Sequence, residues 1–203
     1  MAHPADSPPA AAAPGGQPPP SVARRAAPAR LVAAVVVLTA AIWLVLDQAT
    51  KGLAVALLSD RTVDMGFFDF HLVRNPGGAF SIPGFPGLFV IVTVVVVVLV
   101  ARAVPHTDRL SLAFAYGWLT GGALGNVADR IFRAPGFPSG HVVDFFDLRW
   151  FPVFNVADIG ITCGAILVVV LMSRVDREQR AAQAGRAATA HRSVRPDTSS
   201  PRR

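Results

Sequence analysis

The chain has 203 residues, of which 52% are hydrophobic and 16% charged, with a mean hydropathy of +0.47. That balance excludes an ordinary soluble domain and belongs to the membrane class. Basic residues exceed acidic ones by 19 to 13, but eight of the 19 follow Met172, and no aromatic or groove-reading pattern accompanies the arginines, which excludes a nucleic-acid partner.

Residues 1–29 are rich in Pro, Ala and Gly, cannot bury a core and are expected to be disordered. They contain no apolar h-region of the kind a signal peptide needs. Leu31 to Leu58 is the first membrane segment, and its opening LVAAVVVLTAAIWLVL carries no charge. Near its far end stands DQATK, where Asp47 and Lys51, four apart, share a helical face. Ser59 to Pro86 is too charged to span a bilayer. Phe68, Phe70 and Leu72 alternate with Asp69, His71 and Val73, which predicts a strand, and RNPGGAF then breaks the pattern. A small antiparallel sheet forming a cap over residues 59–83 is expected.

Gly87 to Val104 reads as the second span and Leu110 to Phe132 as the third. In the third, Gly117, Gly121 and Gly125 recur every fourth residue beside Gly122, a stripe that lets another helix approach closely. It ends in GNVADR, with Asn126, Asp129 and Arg130 on one face. Ala134 to Pro152 reads as a loop containing HVVDFFDLRWFP. Phe154 to Met172 is the fourth span and opens on FNVAD, with Asn155 and Asp158 on one face. From Ser173 the chain turns polar and basic, and disorder is expected past an initial helical extension. The expected organisation is a tail over 1–29, a four-span membrane domain over 30–174 and a basic tail over 175–203.

Four spans put both termini on one side. Arg24, Arg25, Arg30, Arg102, Arg109 and the Arg-rich tail favour the cytoplasm for that side. Every polar cluster then falls at the outer leaflet, which points to one outward-facing site. Charge beside lipid is costly and needs a partner or a purpose. The candidate acids are Asp47, Asp129, Asp144, Asp147 and Asp158. Asp47 has Lys51 as a local cation, Asp129 adjoins Arg130, and Asp147 reads as a surface charge of the loop. Asp144 and Asp158 have apolar neighbours and no adjacent cation. Two readings stay open from the residues alone: a proton-sharing aspartate pair, or carboxylates that cap helices and bond between them. A transporter or assembly factor using such acids as a proton relay is the competing class. Cys163 is flanked by apolar residues, the serines lack a base at suggestive spacing, and no paired-His motif exists, so neither a nucleophile, a metal nor a cofactor is expected.

Taken together, DQATK (47–51), RNPGGAF (74–80), GGALGNVADR (121–130), VVDF (142–145) and FNVAD (154–158) resemble the motifs of the lipoprotein signal peptidases, or type II signal peptidases. The resemblance runs from about Leu31 to Arg174. It implies an all-α membrane protein of four transmembrane helices with a small extracytoplasmic β-sheet cap. It implies a bacterial cell-membrane aspartyl endopeptidase that removes the signal peptide from diacylglyceryl-modified prolipoproteins, cutting before the lipidated cysteine and blocked by globomycin. On this resemblance Asp144 and Asp158 are catalytic, and Asp47, Lys51, Asn75, Gly77, Asn126, Asp129, Arg130 and Asn155 support them or bind substrate. The chain departs from the usual motif at Gly78, where the family generally has alanine, and in the Pro/Gly-rich stretch between Arg130 and Asp144.

Overall fold

The computed structural model describes residues 26–77 and 86–194, with side-chain environments over 26–77 and 88–188. Most of the N-terminal tail, Gly78 and the end of the expected cap lie outside the described residues. Among the described residues, four α-helices and three strands follow in the order α1 (Ala29–Leu58), β1 (Val63–Asp64), β2 (Asp69–Asn75), α2 (Pro86–Ala103), α3 (Leu110–Phe132), β3 (Val142–Asp147) and α4 (Val156–Val194), with a 3-10 turn over Val104–His106 after α2.

Three helical stretches among the described residues are long and apolar enough to cross a membrane: Ala29–Leu58, Leu88–His106 and Val156–Ala188. The remaining helix, α3, has 23 residues but a surface broken by Gly, Thr, Asn, Asp and Arg. Its position explains this. It is the interior helix, packed against α1, α4 and α2, so little of it needs to face lipid. The outer helices show the complementary pattern. α1 buries Val32, Val36, Ala40, Asp47, Lys51, Ala54 and Leu58, close to every fourth residue, while Val37, Leu38, Ile42 and Val45 are exposed.

The glycines of α3 serve two neighbours. A Cβ on Gly121 would lie 2.6 Å from the Ala40 carbonyl oxygen of α1, and one on Gly122 would lie 2.5 Å from the Ala157 carbonyl oxygen of α4. Close helix approach, the reading the small-residue stripe supports, is what these positions provide. The fourth helix starts at Val156, two residues later than the apolar pattern implies, and it runs on to Val194. Residues 175–194, expected as a disordered tail after a short helical extension, are helical. An Arg109–Glu178 ion pair at 2.6 Å ties this extension to the chain just before α3.

The strands form one antiparallel sheet in the order β1-β2-β3. In β2 and β3, Phe70 pairs with Phe146 and Asn75 with Val142, with a register shift between Phe70 and Val73. The strand expected around residues 68–73 is therefore present, but the sheet also recruits Val142–Asp147 from the segment expected as a loop. One reason is the cluster beneath it: Val143 and Phe145 are buried against Ala54 and Leu58 of α1 and Val156 of α4, with Phe70 and Leu72 packed alongside. A sheet anchored on two helices in this way carries Asp144 on a fixed backbone.

Candidate active site

All ten residues singled out from the sequence join one hydrogen-bonded network. Its lower layer is ionic. Lys51 is fully buried, with its Nζ 2.9 Å from Asp47 Oδ2 and 3.0 Å from Asp129 Oδ2. Asp129 also takes Arg133 Nε at 2.7 Å. Two carboxylates thus face two cations, so the buried group is neutral, as a desolvated cluster must be. The remaining lone pairs hold backbone. Asp47 Oδ1 accepts the Ala157 N–H at 2.8 Å, capping the start of α4, and Asp129 Oδ2 accepts the Val143 N–H at 3.0 Å, anchoring β3.

The upper layer consists of three asparagines, each with its amide orientation fixed by a donor on Oδ1. Lys51 Nζ donates to Asn126 at 2.9 Å, the Gly77 N–H to Asn75 at 3.0 Å, and the Asp158 N–H to Asn155 at 3.0 Å. Each amide nitrogen must then face a carboxylate. Asn126 Nδ2 donates to Asp158 Oδ1 at 2.8 Å, Asn75 Nδ2 to Asp144 Oδ2 at 3.1 Å, and Asn155 Nδ2 to Asp144 Oδ1 at 2.6 Å. Asn155 Nδ2 also lies 3.1 Å from Asn126 Oδ1. Asn155 is the N-cap of α4, and its own N–H donates to Asp158 Oδ2 at 3.1 Å. This is a reciprocal capping box, with Asp in the place of the usual Glu or Gln.

Arg130 is 3% exposed and donates from one terminal nitrogen to the Asn75 carbonyl at 3.0 Å and the Gly140 carbonyl at 2.8 Å. Its guanidinium lies 5.5 Å from the Phe89 ring centroid. It therefore ties β2 to the loop before β3, and it is not the partner of Asp129 that their adjacency in sequence suggests. That role falls to Lys51 and Arg133. Sequence reasoning also missed Gln48, whose Nε2 reaches Asp129 Oδ1 at 3.1 Å and the Gly125 carbonyl at 3.0 Å. The i, i+4 spacing of Asp129 and Arg133 was the available signal for one of these; a contact from one helix to another, as Gln48 makes, leaves no local trace. Asp147 stands apart from the network at the end of β3, accepting the Arg149 N–H at 2.7 Å.

The four acids of the network thus divide. Asp47 and Asp129 are bonded to cations, whereas Asp144 and Asp158 receive only amide donors. Asp144 is 3% exposed. Burial, followed by the charge of Asp158, pushes its carboxyl up to about 7. A carboxyl that keeps its proton near neutrality beside a second carboxylate has the composition of a general acid and base pair.

The family model described as Signal peptidase (SPase) II matches residues 39–174. The lipoprotein signal peptidase of Rhodococcus jostii (strain RHA1) is 49% identical over 136 residues, covering 65% of this chain and 69% of the relative. That of Streptomyces griseus subsp. griseus is 43% identical over 136 residues, with coverages of 65% and 69%. That of Mycobacterium leprae (strain Br4923) is 43% identical, with coverages of 65% and 68%. A solved bacterial membrane enzyme superposes with a TM-score of 0.59 at 28% identity, covering 70% of this chain and 88% of its own. The chain belongs to the signal peptidase II family, and it is a multi-pass bacterial membrane peptidase that removes signal peptides from prolipoproteins.

Proposed function

We propose that Asp144 and Asp158 are the catalytic dyad of this peptidase. Asp144 enters the reaction protonated and Asp158 ionised. Asp158 takes a proton from water as the oxygen attacks the scissile carbonyl carbon, and Asp144 gives its proton to the carbonyl oxygen. The tetrahedral diol collapses when Asp158 passes its proton to the amide nitrogen, the C–N bond breaks, and Asp144 recovers a proton from the diol hydroxyl. Both carboxyls end as they began. The observation that carries this reading is the division of the acids: two are neutralised by Lys51 and Arg133, and two are held by asparagine amides alone.

Asp47, Lys51, Asp129 and Arg130 position the dyad by holding α4, β3 and β2. Asn75, Asn126 and Asn155 orient it, and Gly77 keeps Asn75 turned toward Asp144. Both termini are cytoplasmic, because Arg24, Arg25, Arg30, Arg102, Arg109 and the basic C-terminal stretch share that side. The sheet and the dyad then lie at the outer leaflet. The substrate is a diacylglyceryl-modified prolipoprotein whose lipid tails stay in the bilayer, and a globomycin-type inhibitor occupies the same site. The test is cleavage of a diacylated precursor peptide by Asp144→Asn and Asp158→Asn proteins that remain folded in detergent. Each exchange lowers the rate on the order of 10²–10⁴-fold, the usual scale of general acid–base catalysis. Full activity in both would sink the proposal.

A further inference from the structure

A second feature lies beside this network and shares Arg133 and Val143 with it. A cavity of about 490 Å³ is lined by Arg74, Arg133, Ala134, Pro135, His141 and Val143. That volume is in the range of small-molecule sites, about 300–1,000 Å³. The lining is largely apolar, and its ionisable residues are two arginines and one histidine, with no carboxylate among them. Arg133 spends its Nε on Asp129, and its terminal nitrogens have no other side-chain or backbone partner among the described residues. Arg74 and His141 have no ion-pair partner among the described residues.

The position of the cavity narrows the ligand. Arg133 is the C-cap of α3, so the cavity sits level with the end of a membrane-embedded helix, at headgroup depth. Phe132 is 84% exposed and Phe137 is 65% exposed, and they flank the Arg133–Pro135 lining in sequence. Exposed apolar rings beside cations suit the boundary between headgroups and acyl chains. Guanidinium pairs favour tetrahedral phosphate oxygens, which they can contact bidentately. The diacylglyceryl cysteine of the proposed substrate carries no phosphate, so a phosphate held here belongs to a second ligand.

We infer that this cavity binds the phosphate of a phospholipid headgroup, at a site separate from the dyad. The two sites share a wall. Arg133 is bonded to Asp129, Asp129 holds the Val143 N–H, and Val143 precedes Asp144. A bound phosphate therefore braces the strand that carries Asp144. The inference needs the membrane but not the peptidase chemistry, so its test reads binding.

The delipidated protein in uncharged detergent is titrated with short-chain phosphatidylglycerol, with diacylglycerol of the same chains, and with inorganic phosphate, following thermal unfolding. Phosphatidylglycerol raises the unfolding temperature saturably, and diacylglycerol does not. Arg74→Gln with His141→Gln shifts the midpoint concentration up roughly tenfold, the loss expected for about one charge-assisted hydrogen bond. Arg74→Gln alone, at an exposed strand position, gives a smaller shift of the same sign and stands in if the double variant fails to fold. An unchanged midpoint in the variants, or an equal response to diacylglycerol, overturns the site. Inorganic phosphate acting at the same concentration as the lipid overturns the headgroup as its source.

Discussion

Asn155 Nδ2 lies 2.6 Å from Asp144 Oδ1, while the backbone N–H of the same residue lies 3.1 Å from Asp158 Oδ2. One residue therefore sets the spacing of both acids, and it does so as the cap of α4. Asp caps a helix about as well as Asn. Asn155→Asp thus keeps the cap but removes the amide donor to Asp144 and adds a third carboxylate. The variant should retain the helix content of the parent and lose on the order of 10²-fold in kcat, the lower end of a general acid–base contribution. Circular dichroism and single-turnover cleavage on one preparation separate the two effects. A variant with parental kcat would show that Asn155 is only a cap.

Lys51 is the hinge between the ionic layer and the amide layer. Lys51→Met leaves Asp129 with Arg133 and Asp47 with no paired cation, and it removes the donor that fixes Asn126. Removing one partner of a buried ion pair costs about 3–5 kcal/mol. A large fall in unfolding temperature is expected, together with a fall in activity. Adding Asp47→Asn restores the charge balance and should recover part of the stability, so the two changes are not additive. Strict additivity would mean that the pair is not coupled.

The convergence of the polar residues is legible in the sequence because each cluster stands at the same end of an apolar segment. Leu110 to Phe132 shows this well: the expected helix and α3 have the same bounds. The partners inside the cluster are less legible. Neighbours in sequence on a helix point about 100° apart, so Arg130 turns away from Asp129 while Arg133, one turn on, meets it. VVDFFD does not alternate as a strand with one wet face does, because Val142 to Phe145 are all buried; that hides β3 in what reads as a loop. Residues 175–194 look like a solvated tail by polarity. They are also rich in Ala and Arg, with two Gln, all of which favour helix, and α4 continues through them.

Gly122 tests how closely the dyad depends on helix spacing. A Cβ there would meet the Ala157 carbonyl oxygen at 2.5 Å and the Ile161 nitrogen at 2.8 Å, both backbone atoms that cannot turn aside. Gly122→Ala must push α3 and α4 apart, at about 1–3 kcal/mol for overpacking. The same movement stretches the 2.8 Å contact of Asn126 with Asp158, so activity should fall further than stability explains. Gly52→Ala is the control, since nothing lies within 4 Å of its added Cβ. It should be neutral or stabilising by up to about 1 kcal/mol through helix propensity. Equal behaviour of the two variants would count against close packing as the reason for Gly122.

The state of Asp144 sets the pH dependence. Burial first, and the charge of Asp158 second, raise its carboxyl from 3.8 to about 7. Between those values the folded protein holds a proton that the unfolded chain has released. The stability this group contributes is therefore complete below the unfolded value and is lost as the pH rises through about 7. If the proton on Asp144 is the one given to the carbonyl oxygen, kcat/KM falls over the same upper limit, with an apparent value that belongs to the pair. Asp158→Asn removes the second cause and leaves the first. In that variant the Asp144 carboxyl, followed by infrared difference titration, should move down yet stay above the ordinary carboxylate range. An Asp144 that titrates like a surface aspartate in the parent protein, or a rate that is flat well beyond neutrality, would reverse the assignment of acid and base.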